Sequence, residues 1–231
     1  MLTKVMKLNI PKILYKQFWG RVLHPIIYDF YPRFYWEQRH KIHELGAVGA
    51  LGRDESYNRE IYRRKRDTLK LILDTLGIAK EGDKVLDVGC GIGLMQEVYV
   101  RRGCNVLGID FSANAIRKAR ELYPTFKFRQ KTIEEIEETG FDIVNCLEVT
   151  MHITNDKKWE STLNHLKNKL KPGGYLILSD ELSIEATERH GYYIKNRGLK
   201  EYLRVLHELE FLSLTPYPAH PYSVAVFRKR L

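Results

Sequence analysis

The sequence predicts an α/β fold, in which a mostly parallel, doubly wound sheet carries helices on both faces behind a mainly helical N-terminal cap. Three observations lead there. Strand-like and helix-like segments alternate from about Tyr57 onward, the pattern of parallel strands joined by crossover helices. The first strand-like run breaks into a glycine-rich turn, KVLDVGCGIG at 84–93. The last two runs, LSLT and SVAVF, are joined by the turn-rich PYPAHPY, which has no room for a crossover helix, so this pair is expected to be antiparallel.

Taken in order, residues 1–56 are rich in Tyr, Trp, Phe, His and Arg, and their glycines and prolines interrupt any long period. They read as short helices and loops that cover something. From Tyr57 the pattern becomes regular: Ile61, Leu69, Ile72, Leu73 and Leu76 fall near helical spacing, and Gly77 supplies a stop. Strands are then expected at VLDV, NVLGID, FKF, DIVNCL and YLILSD. The helices between and after them are expected at LMQEVYVRRG, SANAIRKARELY, KKWESTLNHLKNKLKPGG and GLKEYLRVLHELEF. The expected division is a cap over 1–56 and a ligand-binding domain over 57–231.

Composition bounds the function. At 231 residues, with 44% hydrophobic and 29% charged residues, the chain suits one α/β domain with an appendage. No apolar run has the length of a membrane span. The N-terminus mixes lysines through its apolar residues and lacks the pattern of a secretory signal, so a cytoplasmic location is expected. Peripheral membrane contact through Lys4, Lys7, Lys12 and Lys16 stays open, although Pro11 interrupts a helix there. Cys90, Cys104 and Cys146 lie far apart and read as buried thiols rather than a disulfide framework or zinc site. The net charge is +9, and fifteen Lys and Arg against eight Asp and Glu lie within the first 75 residues. Such a front end suits nucleic acid, a membrane surface, an anionic substrate or a solvated helical face.

The opening turn places a ligand. Gly89, Gly91 and Gly93 follow the first strand at its carboxyl end, where open α/β sheets bind ligands. Glycines there permit positive φ and close approach, and the amides of the next helix favour a negative group. The spacing G-x-G-x-G departs from the dinucleotide fingerprint G-x-G-x-x-G. Asp87 stands within the strand and Asp110 ends the second strand, where a carboxylate can accept from both hydroxyls of a ribose.

With these residues the chain resembles the class I S-adenosylmethionine-dependent methyltransferases, from about Tyr57 to Arg230. VLDVGCGIG is similar to the family's first motif, GIDFS to the second-strand motif, FDIVNCLEVTMHI to the fourth-strand motif and LKPGGYLILSD to the fifth. The resemblance implies a Rossmann-like seven-strand sheet with an antiparallel last strand, and S-adenosyl-L-methionine as cofactor. It implies that Asp87, Gly89, Gly91 and Gly93 line the methionine part and that Asp110 holds the ribose. By the same resemblance Phe111 and Ser112 flank the adenine, and Leu147 and Glu148 lie near the methionine. The family often has Gly-Asp after the third strand, where this chain has Gln130 and Lys131, so adenine recognition is expected to rely on backbone and on Thr132 or Ile133. The spacing Cys146, Glu148, His152 is similar to quinone and small-molecule O-methyltransferases. Those commonly read Leu-Glu-His where this chain has Thr150, Met151 and His152, and no metal is expected.

Methyl transfer from a sulfonium is helped mainly by positioning and exclusion of water, and a hydroxyl acceptor also benefits from a base. His152 is the candidate base, with Glu148 either orienting it or simply binding cofactor, against the alternative of a histidine satisfied by backbone near a helix start. Tyr57, Asn58, Tyr62 and Arg63 are candidates to reach over the cofactor, with Arg63 on the methionine carboxylate, whereas Arg64, Lys65 and Arg66 read as solvated. Trp36, His40, His43 and Tyr57 are candidates for an acceptor pocket. His220 is expected at the opposite end of the sheet. The expected acceptor is a small-molecule or glycan hydroxyl, with an anionic acceptor open. One alternative is N-methylation of a small amine or of nucleic acid, although the fourth strand lacks the Asn/Asp-Pro-Pro-aromatic signature. Another is a non-catalytic cofactor-binding protein of this fold, against which the intact glycines and both aspartates argue.

Overall fold

A computed structural model describes residues 32–42, 54–190 and 193–231. His43 and the N-terminal lysines lie outside the described residues. Strands β1 (Lys84–Val88), β2 (Asn105–Asp110), β3 (Lys127–Gln130), β4 (Phe141–Leu147), β5 (Leu170–Asp180), β8 (Leu209–Pro216) and β9 (Ser223–Lys229) form one seven-stranded sheet in the order β3-β2-β1-β4-β5-β9-β8. The first five are parallel, and β9 runs antiparallel to both β5 and β8. The predicted fold is therefore borne out, including the antiparallel last strand. A two-stranded hairpin, β6 (Glu188–His190) with β7 (Ile194–Asn196), stands outside the sheet and was not foreseen. Three-residue strands at this position offer too little periodicity to read.

The helices are α1 (Pro32–Ile42), α2 (Glu55–Leu76), α3 (Gln96–Val100), α4 (Ala113–Leu122), α5 (Asp156–Lys169) and α6 (Leu199–Val205). Their ends follow from local chemistry. Asp54 accepts from the Tyr57 amide at 2.8 Å and caps α2, which Gly77 closes at φ 63°. Ser112 and Asn155 cap α4 and α5 in the same way, each cap contributing about 1 kcal/mol.

The strands are apolar on both faces because two cores flank the sheet. Leu86, Val144, Cys146, Leu176, Leu178 and Phe227 meet Trp159, Leu163 and Leu166 of α5 and Tyr202 of α6. The alternate residues Val85, Ile143, Ile177, Val224 and Val226 meet Leu69, Ile72 and Leu73 of α2 and Tyr99 of α3. This sandwich leaves the carboxyl edge of β1, β2, β4 and β5 as the place where polar side chains gather.

Candidate active site

The glycine turn is built as the sequence requires. Gly89, Gly91 and Gly93 have φ of 68°, 54° and 84°, and a Cβ on Gly89 would overlap the Val149 side chain beyond β4. Beneath it runs a buried polar chain, in which the Tyr99 hydroxyl donates to Asn145 Oδ1 (3.0 Å) and Asn145 Nδ2 donates to Asp87 Oδ1 (2.6 Å). The other oxygen, Asp87 Oδ2, is buried without a hydrogen-bond partner. Burial pushes the Asp87 carboxyl up to about 7 despite the Asn145 bond. Asp110 accepts from the Ser112 amide at 2.8 Å and the Gly91 amide at 3.1 Å, and burial pushes it up to about 6.

Glu148, just past β4, adopts the left-handed region at φ 57°, which costs a non-glycine residue on the order of 1 kcal/mol. Its amide donates to Ser179 O at 2.7 Å, and its carboxylate meets Lys65 Nζ at 2.6 and 2.7 Å. The Lys65 ammonium also lies 4.9 Å from the Tyr62 ring centroid. This corrects two expectations. Lys65 is buried rather than solvated, because it sits one helical turn before Leu69 on the inward stripe of α2. Arg63 lies about 120° round the helix from Leu69 and faces solvent, bridging Glu60 at 2.8 Å and Asp67 at 2.9 Å. It does not reach the cofactor crevice.

The placement of His220 is also corrected. Since β8 runs parallel to β5, the β8–β9 turn falls at the carboxyl edge, closed by the Tyr217 amide donating to Tyr222 O at 2.9 Å. His220 lies within electrostatic reach of Lys65 and Glu148, and burial lowers its pKa. The Tyr217 hydroxyl is buried in the same neighbourhood.

His152 closes the three-residue 3-10 turn Thr150–His152. Its Nδ1 is 2.9 Å from Tyr193 O. A carbonyl only accepts, so Nδ1 carries the proton and the basic lone pair is on Nε2. The ring stacks on Tyr193 (5.6 Å between centroids, 12°) and meets the edge of Trp36 (4.7 Å, 67°). Burial lowers its pKa to about 4, which keeps the imidazole neutral at physiological pH. His40, buried behind Trp36, is lowered to about 4 by burial and then by Arg39 and Lys118. Next to Trp36, Glu37 accepts from Ser112 Oγ at 2.6 Å and from Asn114 Nδ2 at 2.6 Å. Helix α1 thus spans from the end of β2 to His152.

The other candidates have these surroundings. Ile133 is buried in the core, so only its backbone can face a ligand. The Thr132 hydroxyl donates to Glu135 at 3.0 Å, and Gln130 Nε2 donates to Phe111 O at 3.3 Å. Leu147 is partly buried against α2, and Tyr57 is exposed on its first turn. Among the described residues no three His, Cys, Asp or Glu converge as a metal site.

Comparison with known proteins gives this geometry its context. Residues 57–213 match the methyltransferase-domain family. The chain belongs to that family. The recognition made from the sequence motifs is therefore borne out. Among relatives, the ubiquinone biosynthesis O-methyltransferase of Alkalilimnicola ehrlichii is 35% identical over 151 residues, 62% of this chain and 54% of that protein. Its counterpart from Acinetobacter baylyi is 34% identical over 150 residues, 61% of this chain and 56% of that protein. The matched part thus spans little more than half the length of these relatives.

Solved structures of methyltransferases share the fold. Magnesium protoporphyrin IX methyltransferase from Synechocystis, with bound S-adenosylmethionine, superposes with a TM-score of 0.62 at 16% identity, covering 97% of this chain and 99% of that one. An N-methyltransferase from Bradyrhizobium japonicum, in complex with S-adenosylhomocysteine, gives 0.61 at 17% identity, covering 84% of this chain and 96% of that one.

Sequence reasoning missed Lys65, Asn145 and Tyr193 within this methyltransferase domain and Glu37 ahead of it. Lys65 was legible as a cation on the apolar stripe of α2, and Asn145 as a polar interruption of an apolar strand. Glu37 and Tyr193 carry no local signal, since their partners lie 75 and 41 residues away.

Proposed function

We propose that the chain is an S-adenosylmethionine-dependent O-methyltransferase acting on a small-molecule hydroxyl, with a phenolic ring as the first choice of acceptor and a glycan hydroxyl as the second. The observation that carries this reading is His152, a neutral imidazole with its Nε2 lone pair defined by Tyr193 O and with aromatic walls beside it. Such walls suit a flat acceptor, and the relatives' names concern O-methylation.

The residues present fit the cofactor. The unpartnered Asp87 Oδ2 suits a cationic neighbour, and each Asp110 oxygen accepts one amide and retains capacity for a ribose hydroxyl. The Lys65–Glu148 pair offers one charge of each sign, the complement of an amino-acid end. When bound, the cofactor supplies a methyl group activated by its positive sulfur. The protein's own share is to hold the acceptor oxygen and to receive its proton at His152 Nε2 as the carbon–oxygen bond forms. The oxygen becomes acidic as that bond forms, so a weak base suffices. The new carbon–oxygen bond would replace the carbon–sulfur bond, and the positive charge lost at sulfur would be matched by the proton held at His152 Nε2.

Nucleic acid is the weaker reading, because the α2 cations Arg59, Arg63, Arg64 and Lys70 each pair with an acid on the same helix. Cap residues 1–56 and a methyl-transfer domain over 57–231 remain our division of the chain. A cytoplasmic location accords with three free thiols.

The test is calorimetric titration with S-adenosylmethionine, S-adenosylhomocysteine and NAD, followed by transfer assays on catechol and on free sugars. Saturable binding of the first two and methylation of catechol are expected. Binding of NAD alone would overturn the reading.

A further inference from the structure

Asp180 ends β5 and is 1% exposed. Its Oδ2 accepts from the hydroxyls of Thr150 and Tyr202, whose oxygens are 2.7 Å apart. Its other oxygen, Oδ1, is buried without a hydrogen-bond partner. Leu178, Leu182 and Trp159 of the core surround this cluster, where apolar residues of the same volume would pack at lower cost. A polar network in such a place fixes one geometry.

What it fixes is the turn that carries His152. Thr150 is tied to Asp180 on the N-terminal side of that residue. On the C-terminal side Arg197, 2% exposed, donates to Ile153 O at 3.0 Å and pairs with Asp156 at 2.9 Å, its guanidinium 4.5 Å from the Trp159 ring centroid. The His152 ring is then set by Tyr193 O.

We propose that Asp180 is a positioning residue for His152, acting through the hydroxyls of Thr150 and Tyr202. The inference rests on the reading of His152 as the base. Burial, which pushes the Asp180 carboxyl up to about 7, is consistent with a group kept for geometry rather than for charge.

Thr150→Val removes the hydroxyl at constant volume, and Thr150→Ser restores it. Turnover of catechol with S-adenosylmethionine is measured for both, alongside S-adenosylhomocysteine affinity and nitrogen-resolved NMR of the His152 ring. Thr150→Val is expected to lower kcat about tenfold or more, as a small displacement of a catalytic group does. KM and S-adenosylhomocysteine affinity should stay unchanged, and the single Nδ1–H tautomer should become mixed. Thr150→Ser should return both kcat and the tautomer. Wild-type kcat and an unchanged His152 spectrum in Thr150→Val would overturn the proposal, as would a loss that Thr150→Ser does not restore. Should Thr150→Val not fold, Tyr202→Phe removes the second hydroxyl and is read the same way. Failure of the wild-type protein to methylate catechol would count against the proposed function alone, since the NMR comparison decides the positioning role without an acceptor.

Discussion

The two halves of the carboxyl edge are built differently. The β1–β2 half gathers Asp87, three glycines, Asp110 and Ser112 from a 26-residue stretch, with the Gly91 and Ser112 amides holding Asp110. The β4–β5 half gathers Trp36, Lys65, Glu148, His152, Asp180, Tyr193 and Tyr217 from across the chain. The first is one strand–turn–helix–strand unit, in which backbone amides set the Asp110 carboxylate. The second depends on separate elements arriving together, so chemistry and acceptor choice can vary there while cofactor binding stays constant.

Substitutions on either side should separate these halves. His152→Gln is expected to cost on the order of 10³-fold in kcat for a hydroxyl acceptor, the range for loss of a general base, with S-adenosylhomocysteine affinity unchanged. Near-wild-type turnover would dissolve the catalytic distinction of the β4–β5 half. Asp110→Ala should weaken S-adenosylhomocysteine binding on the order of 10²-fold, because two hydrogen bonds to a carboxylate are lost. Equal affinity in the folded variant would take Asp110 out of the site.

A sharper contrast lies within α2. Lys65→Met leaves Glu148 unpaired at 18% side-chain exposure and is expected to lower stability by about 2 kcal/mol, less than for a fully buried pair. Arg63→Ala removes an arginine whose side chain is 58% exposed and should change it by less than about 0.5 kcal/mol. Urea unfolding of both variants distinguishes them, and equal losses would erase the distinction between the two faces.

The smallest effect concerns pH. Asp87 and Asp110, raised to about 7 and about 6 by burial, are progressively protonated as pH falls below 7. A cationic cofactor favours their ionised forms, so its binding releases protons and its affinity should rise by about tenfold between pH 5 and 8. S-adenosylhomocysteine, without the sulfonium charge, should show a shallower rise. Equal slopes would mean that neither carboxylate faces the sulfur.

Much of this molecule was written locally. Alternation and the KVLDVGCGIG turn determined the sheet, the crevice and the β1–β2 acids, because a strand's period of two and a glycine's positive φ depend on neighbours in sequence. The short loop before β9 likewise determined an antiparallel pair. His220 sits at the carboxyl edge because β8 runs parallel to β5, and Lys65 rather than Arg63 faces inward because helical phase, not charge, decides which side chain meets the core. What only the tertiary structure decided is the surroundings of the His152 turn: Trp36 and Tyr193 reach the His152 ring from positions 116 and 41 residues away, and Asp180 reaches Thr150 from 30 residues away. No local period encodes such meetings, because they arise when α1, the β6–β7 hairpin and the end of β5 close on the same edge of the sheet.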